Sequence, residues 1–177
     1  EFRRVLFRSS HCTTREVTGV GVPQFTAVDR CADEARVRDV EIIADGGIRS
    51  SGDAVKALMA GANAVMMGSF FMGTDESPGD VQKTADGERV KITRGMASEE
   101  ANDERTDKEI DPTVEEGVVQ QTPYKGSVKP LIDEFNSGIR SGLSYCGGHT
   151  IIDARKNAEF IRVSPSTQAR NGEHEGY

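Results

Sequence analysis

The chain has 177 residues, enough for one medium domain, with 36% hydrophobic and 29% charged residues and no tryptophan. Its 22 Lys and Arg against 29 Asp and Glu give a formal net charge of −7, which argues against a nucleic-acid groove or an anionic membrane surface as the main partner. No apolar run approaches the ~20 residues of a membrane span, and three cysteines at unrelated spacings make neither a disulfide framework nor a zinc set, so a reducing cytoplasm is the expected compartment.

Residues 1–9, EFRRVLFRS, hold three arginines and no turn or cap leading into the next segment. They are set aside as a non-native leader, and the fold is read from Ser10 onward. Between Pro23 and Arg38 the pattern is helical, with Phe25, Val28, Cys31, Ala32 and Ala35 on one stripe, which places Cys31 in the core. Val40 to Ala44 reads as a short buried strand halted by Asp45-Gly46-Gly47. Ser51 is expected to cap a second helix carrying Ala54, Val55, Leu58 and Met59, closed by Gly61. Ala64 to Met67 is another buried strand, stopping at Gly68-Ser69. Strand, glycine loop, helix, strand, glycine loop is the rhythm of a parallel α/β sheet.

That rhythm then breaks. Between Ser98 and Gly117 there are nine acidic and two basic residues, and only Ala101, Ile110 and Val114 are apolar apart from glycine. Such a segment buries little and is expected to be a surface excursion, the centre of an acidic flap over about 83–122. A helix over Lys129 to Ser141 comes next, with Leu131, Ile132, Phe135 and Ile139 on its apolar side. A short helix over Ile151 to Asn157, an extended Phe160 to Val163 and a polar tail over 166–177 complete the chain. Two core strands cannot close a parallel sheet that needs both faces covered, so 10–165 is expected to be part of a larger, truncated domain.

Two glycine turns after successive buried strands expose backbone N–H groups, and each precedes a helical start that favours an anion. Asp45, at the end of its strand, could bind ribose hydroxyls. The plainer alternative is a pair of ordinary strand-ending turns with a turn aspartate.

Several motifs in order carry a resemblance. SHCTTREVTGVGVPQ, IIADGGIRSSGDAVKALMAGANAVMMGSFFMGTDESPGD, RGMAS, PYKG and IRSGLSYCGG closely resemble the inosine monophosphate dehydrogenase and guanosine monophosphate reductase family. The resemblance implies the C-terminal portion of a (β/α)₈ barrel, beginning at the loop after its sixth strand and incomplete here. It implies that Cys12, in Ser10-His11-Cys12-Thr13-Thr14, is the nucleophile that adds to C2 of the purine so that hydride can leave to a nicotinamide. Ser10, Gly46, Gly47, Gly68 and Ser69 match the phosphate-binding turns and Asp45 matches a ribose contact. Gly95, Met96 and Glu116 match contacts to the base. Thr14 matches a threonine that helps move the proton of the hydrolytic water. A potassium ion would sit on carbonyls of the Cys12 loop, NAD or NADPH would be the cofactor, and the full-length protein would be a cytoplasmic homotetramer.

Departures from the family pattern bear on the chemistry. Phe7-Arg8-Ser9-Ser10 replaces a glycine-rich approach to the cysteine, and Thr93 stands where a tyrosine often precedes the RGM motif. Arg105-Thr106 stands where the dehydrogenases carry an Arg-Tyr pair for water activation, so Arg105 is read either as that base or as a solvated surface arginine. Dehydrogenase and reductase differ in the second step: one hydrolyses the covalent intermediate, the other handles ammonia in place of water and reverses the hydride flow. GTDESPG, PYKG and RSGLSYCGG resemble the dehydrogenase, giving oxidation of IMP to XMP with NAD. Glu99 resembles a reductase position and keeps conversion of GMP to IMP with NADPH as the alternative. A third reading is a non-catalytic fragment, because an incomplete barrel alone is expected to be inactive.

Overall fold

The computed structural model describes residues 2–6, 19–94 and 119–167. The first strand, β1 (Phe2–Leu6), pairs in parallel with β2 (Glu41–Asp45), which pairs in parallel with β3 (Ala64–Met66), in spatial order β1-β2-β3. Five of the nine residues set aside as a leader therefore contribute an edge strand. Helix α1 (Gln24–Arg38) precedes β2, and α2 (Ser51–Met59) forms the crossover from β2 to β3. A parallel pair needs such a crossover, because a tight turn cannot reverse the chain twice.

Helix α1 starts after Pro23, whose fixed φ suits a helix entry, and ends at Asp39 in the left-handed region at φ 53°. Its buried face is Val28, Ala32 and Ala35. Cys31, expected in the core, is exposed: it lies on the flank of that face, and the small residues at 32 and 35 make the contact instead. Ser50 rather than Ser51 caps α2, its hydroxyl accepting from the Asp53 amide at 3.2 Å while Asp53 reinforces the first turn. Ile42 and Ala44 of β2 face inward with Val28, Ala54, Ala57 and Ile48. So many alanines let helices approach closely, and at Gly61 (φ +120°) a Cβ would collide with Ala32.

A second sheet has no counterpart in the sequence pattern. Strands β4 (Val81–Lys83), β5 (Arg89–Arg94) and β6 (Val119–Pro123) form an antiparallel sheet in that order. Thr84 to Glu88 closes the β4–β5 hairpin, with Gly87 at φ +83° supplying the positive φ of the turn. Both ends of the span 83–122, expected to be a flap, belong to this sheet, with Arg94 paired opposite Val119, while its acidic centre lies outside the described residues.

Helix α3 (Val128–Tyr145) is longer than its sequence pattern implies, and α4 (Ile151–Asn157) comes after it. Phe135 joins the main core, and Leu143 packs with Leu58, Met59 and Ala154 in a second cluster. Gly138 and Gly142 of α3 face Ser51 and Val55 of α2, leaving no room for a Cβ at either glycine. Arg155 on α4 fastens the far end of α2, donating from Nε to the Leu58 carbonyl at 2.9 Å and from Nη2 to the Ala62 carbonyl at 2.6 Å. Partial burial lowers the Arg155 pKa. Arg155→Met keeps the aliphatic stem but strips donors from two carbonyls, and should cost about 1–3 kcal/mol in urea unfolding.

Candidate functional site

In the β2–β3 register, Asp45 lies opposite Met66. The turns Gly46-Gly47 and Gly68-Ser69 therefore leave the same end of two adjacent parallel strands, the end at which open α/β sheets bind ligands. Asp45 is 7% exposed, and its backbone carbonyl accepts from Gln24 Nε2 at 3.0 Å. Gly46 and Gly47 adopt φ +95° and +74°, a region that only glycine enters freely. Nothing lies within 4 Å of where a Gly47 Cβ would be, so the backbone there is open to a ligand. A cleft of about 120 Å³ touches Gly47 and is bounded by Gln24, Asp53 and Lys56.

The second turn is held by residues far along the chain. Lys125 Nζ donates to the carbonyls of Ser69 and Phe70 at 3.3 and 3.2 Å. The Lys125 amide donates to the Gly73 carbonyl at 2.8 Å, and the Asp75 amide to the Gly126 carbonyl at 2.9 Å. Gly73 (φ +81°) sits so close to the Pro123 carbonyl that a Cβ would overlap it. Tyr124 completes the junction: its hydroxyl donates to Asp75 Oδ1 at 2.6 Å, and Arg89 stacks 4.2 Å over its ring. The hydrogen bond to Asp75 raises the Tyr124 pKa, because ionisation would remove the donor. Lys91, 4% exposed, spends its ammonium on the Asp75 and Ser77 carbonyls. The motifs PYKG and GTDESPG are thus two halves of one clamp, flanked by a cavity of about 490 Å³ lined by Gly68, Phe71, Met72, Thr74, Glu76 and Val128 among others.

Glu76 ties the clamp to α3. Its carboxylate accepts from the Val128 amide at 2.9 Å and the Ser127 hydroxyl at 3.0 Å, and the amide bond is the largest cause of its lowered pKa. A depressed carboxylate pKa contributes stability above its unfolded-state value and loses it as pH falls through the folded value. The Val128 amide proton should therefore titrate with a midpoint below that of an ordinary glutamate in NMR spectra. A midpoint at the ordinary value would refute the bond.

Of the residues expected to build the site, the described part of the structure brings together Asp45, Gly46, Gly47, Gly68 and Ser69. Ser10, Cys12, Thr14, Gly95, Met96, Glu99, Arg105 and Glu116 lie outside the described residues. Thr93, in place of a tyrosine, is 7% exposed, and its Oγ1 lies 2.8 Å from Thr122 Oγ1 on the neighbouring strand. The role of Lys125 is one that sequence reasoning misses. PYKG is visible as a motif, but a lysine 55 and 56 residues from the carbonyls it holds leaves no mark in local spacing. Among the described residues, no group of three or more His, Cys, Asp or Glu side chains could hold a metal ion, and no helix is long and apolar enough to cross a membrane.

A model of the IMP dehydrogenase / GMP reductase domain matches residues 8–174. The chain is 49% identical over 175 residues to an inosine-5'-monophosphate dehydrogenase of Nitrosopumilus maritimus, covering 94% of this chain and 37% of that protein. It is 44% identical over 173 residues to a GMP reductase of Leishmania donovani, covering 94% and 35% respectively. In three dimensions it is similar to a cysteine-to-alanine variant of GMP reductase from Trypanosoma brucei, solved in complex with guanosine 5'-monophosphate. That likeness has a TM-score of 0.86 at 43% identity and covers 96% of this chain and 35% of the other. The chain spans about a third of the length of these relatives. With its strand-end glycine turns set in an α/β fold shared with those enzymes, the chain belongs to the IMP dehydrogenase / GMP reductase family.

Proposed function

We propose that the chain is the C-terminal portion of a (β/α)₈ barrel that oxidises IMP to XMP with NAD. The observation that carries the nucleotide reading is the Asp45–Met66 register, which sets two glycine turns and a buried carboxylate at one end of adjacent parallel strands. The outer edges of β1 and β3 have no strand partner among the described residues, as suits a segment of a larger sheet.

In this reading the phosphate rests on Ser10, Gly46, Gly47, Gly68 and Ser69, where backbone N–H groups meet it without side chains in the way. Asp45 accepts from the ribose hydroxyls. Gly95, Met96 and Glu116 hold the base. The Cys12 thiolate adds to C2, making that carbon tetrahedral, and hydride then leaves to the nicotinamide dinucleotide, which supplies the two-electron acceptor. Thr14 and Arg105 take the proton of the water that hydrolyses the thioimidate, releasing XMP and the free thiol. Potassium would be held by carbonyls of the Cys12 loop, and the barrel would work in the cytoplasm as a homotetramer.

Reduction of GMP to IMP with NADPH is the second reading, favoured by Glu99 and by Thr106 at the flap position where the dehydrogenases carry tyrosine. The barrel-length protein, assayed with IMP plus NAD and separately with GMP plus NADPH, decides between them. Turnover in the first assay alone supports the dehydrogenase, and turnover in the second alone supports the reductase. Silence in both leaves a nucleotide-binding domain without catalysis and overturns both readings.

A further inference from the structure

The turn at Gly68 carries four successive carbonyls, all of them occupied from within the protein. The Phe71 amide donates to the Gly68 carbonyl at 3.1 Å, while the Phe71 carbonyl takes both the Thr74 amide at 3.3 Å and the Thr74 hydroxyl at 2.7 Å. The middle two, on Ser69 and Phe70, are taken by one group, the Lys125 ammonium.

In a planar trans peptide the C=O and N–H point in opposite directions. Holding the Ser69 carbonyl toward Lys125 therefore turns the Phe70 N–H to the other side of the turn. We propose that Lys125 is a positioning residue for anion binding: by pinning the Ser69 and Phe70 carbonyls it fixes the Gly68–Phe71 turn with the Phe70 N–H, opposed to the Ser69 carbonyl, presented to a phosphate, and places a fixed positive charge behind it. The inference rests on reading Gly68 and Ser69 as part of the phosphate site.

Two further observations support it. Lys125 is itself fixed, since its own amide is bonded to Gly73 and the next residue, Gly126, is bonded to Asp75. Its ammonium also carries a cost that a neutral donor would avoid: partial burial lowers its pKa, and the hydrogen bonds it makes are to carbonyls. A cation partly withdrawn from water acts on a nearby anion through a less screened field than one in bulk solvent.

The test compares IMP with inosine, which lacks the phosphate, by NMR titration of the barrel-length protein and its Lys125→Met and Lys125→Arg variants. The expected result is a preference for IMP in the unmodified protein, a roughly tenfold smaller preference in Lys125→Met with inosine affinity unchanged, and recovery of most of the preference in Lys125→Arg. Amide signals of residues 68–71 should shift in Lys125→Met while those of β2 stay in place. If Lys125→Met keeps the full preference, or loses IMP and inosine affinity equally, the lysine has no part in anion recognition and the proposal falls alone. If the unmodified protein itself shows no preference for IMP, the turn is not a phosphate site and both readings fall together.

Discussion

Cys12→Ala in the barrel-length protein should abolish turnover, by on the order of 10³-fold or more, because the covalent route then has no nucleophile and the planar C2 does not release hydride unaided. Affinity for the nucleotide should change little, since in the proposed site the phosphate and ribose contacts other than Ser10 lie on other loops. Mass spectrometry of the quenched reaction should show an adduct of nucleotide mass on the unmodified protein and none on the variant. Full activity in the variant would remove the covalent mechanism and with it the assignment of the Cys12 loop.

Gly73→Val is the structural change with the largest expected effect. The left-handed backbone at φ +81° costs a side chain roughly 1–2 kcal/mol, and driving a branched side chain into the Pro123 carbonyl adds about 1–3 kcal/mol of overpacking. A total near 3 kcal/mol should appear in chemical unfolding. Hydrogen exchange at the Lys125 and Asp75 amides, which bridge the two halves of the clamp, should rise with it. By contrast Gly87, also at positive φ but with nothing within 4 Å of its Cβ position, should lose only the backbone part on substitution by alanine. Equal costs at the two glycines would show that the contact with Pro123 has no weight.

The parallel half of the fold is readable in the sequence because its apolar residues fall into short dense runs. Ile42 to Ala44 and Ala64 to Met66 each run into a glycine turn, and the intervening helix shows its inner face through Ala54, Leu58 and Met59. The antiparallel sheet is hidden because its strands alternate differently. In Arg89 to Arg94, Val90, Lys91 and Thr93 are buried while Ile92 is 37% exposed, so hydropathy gives no clean period of two. The Asp86-Gly87 pair is the available signal for that hairpin. Cys31 misleads for a related reason: helical spacing allows a position at the margin of a stripe, and only packing decides which margin is covered. Of the site, the strand-end turns are visible as local glycine motifs, whereas the Lys125 clamp depends on contacts between segments more than 50 residues apart.

The pairing of Arg94 with Val119 has a consequence for how activities diversify in this fold. Residues 95–118 leave and re-enter through neighbouring antiparallel strands, so their two ends are held a strand's width apart whatever lies between them. Closing such a loop costs free energy that grows only with the logarithm of its length. Insertions, deletions or wholesale exchange of this stretch can then be absorbed without disturbing the helices or the parallel sheet. One scaffold can in this way carry stretches of different length and sequence between β5 and β6 and leave the glycine turns after β2 and β3 in place.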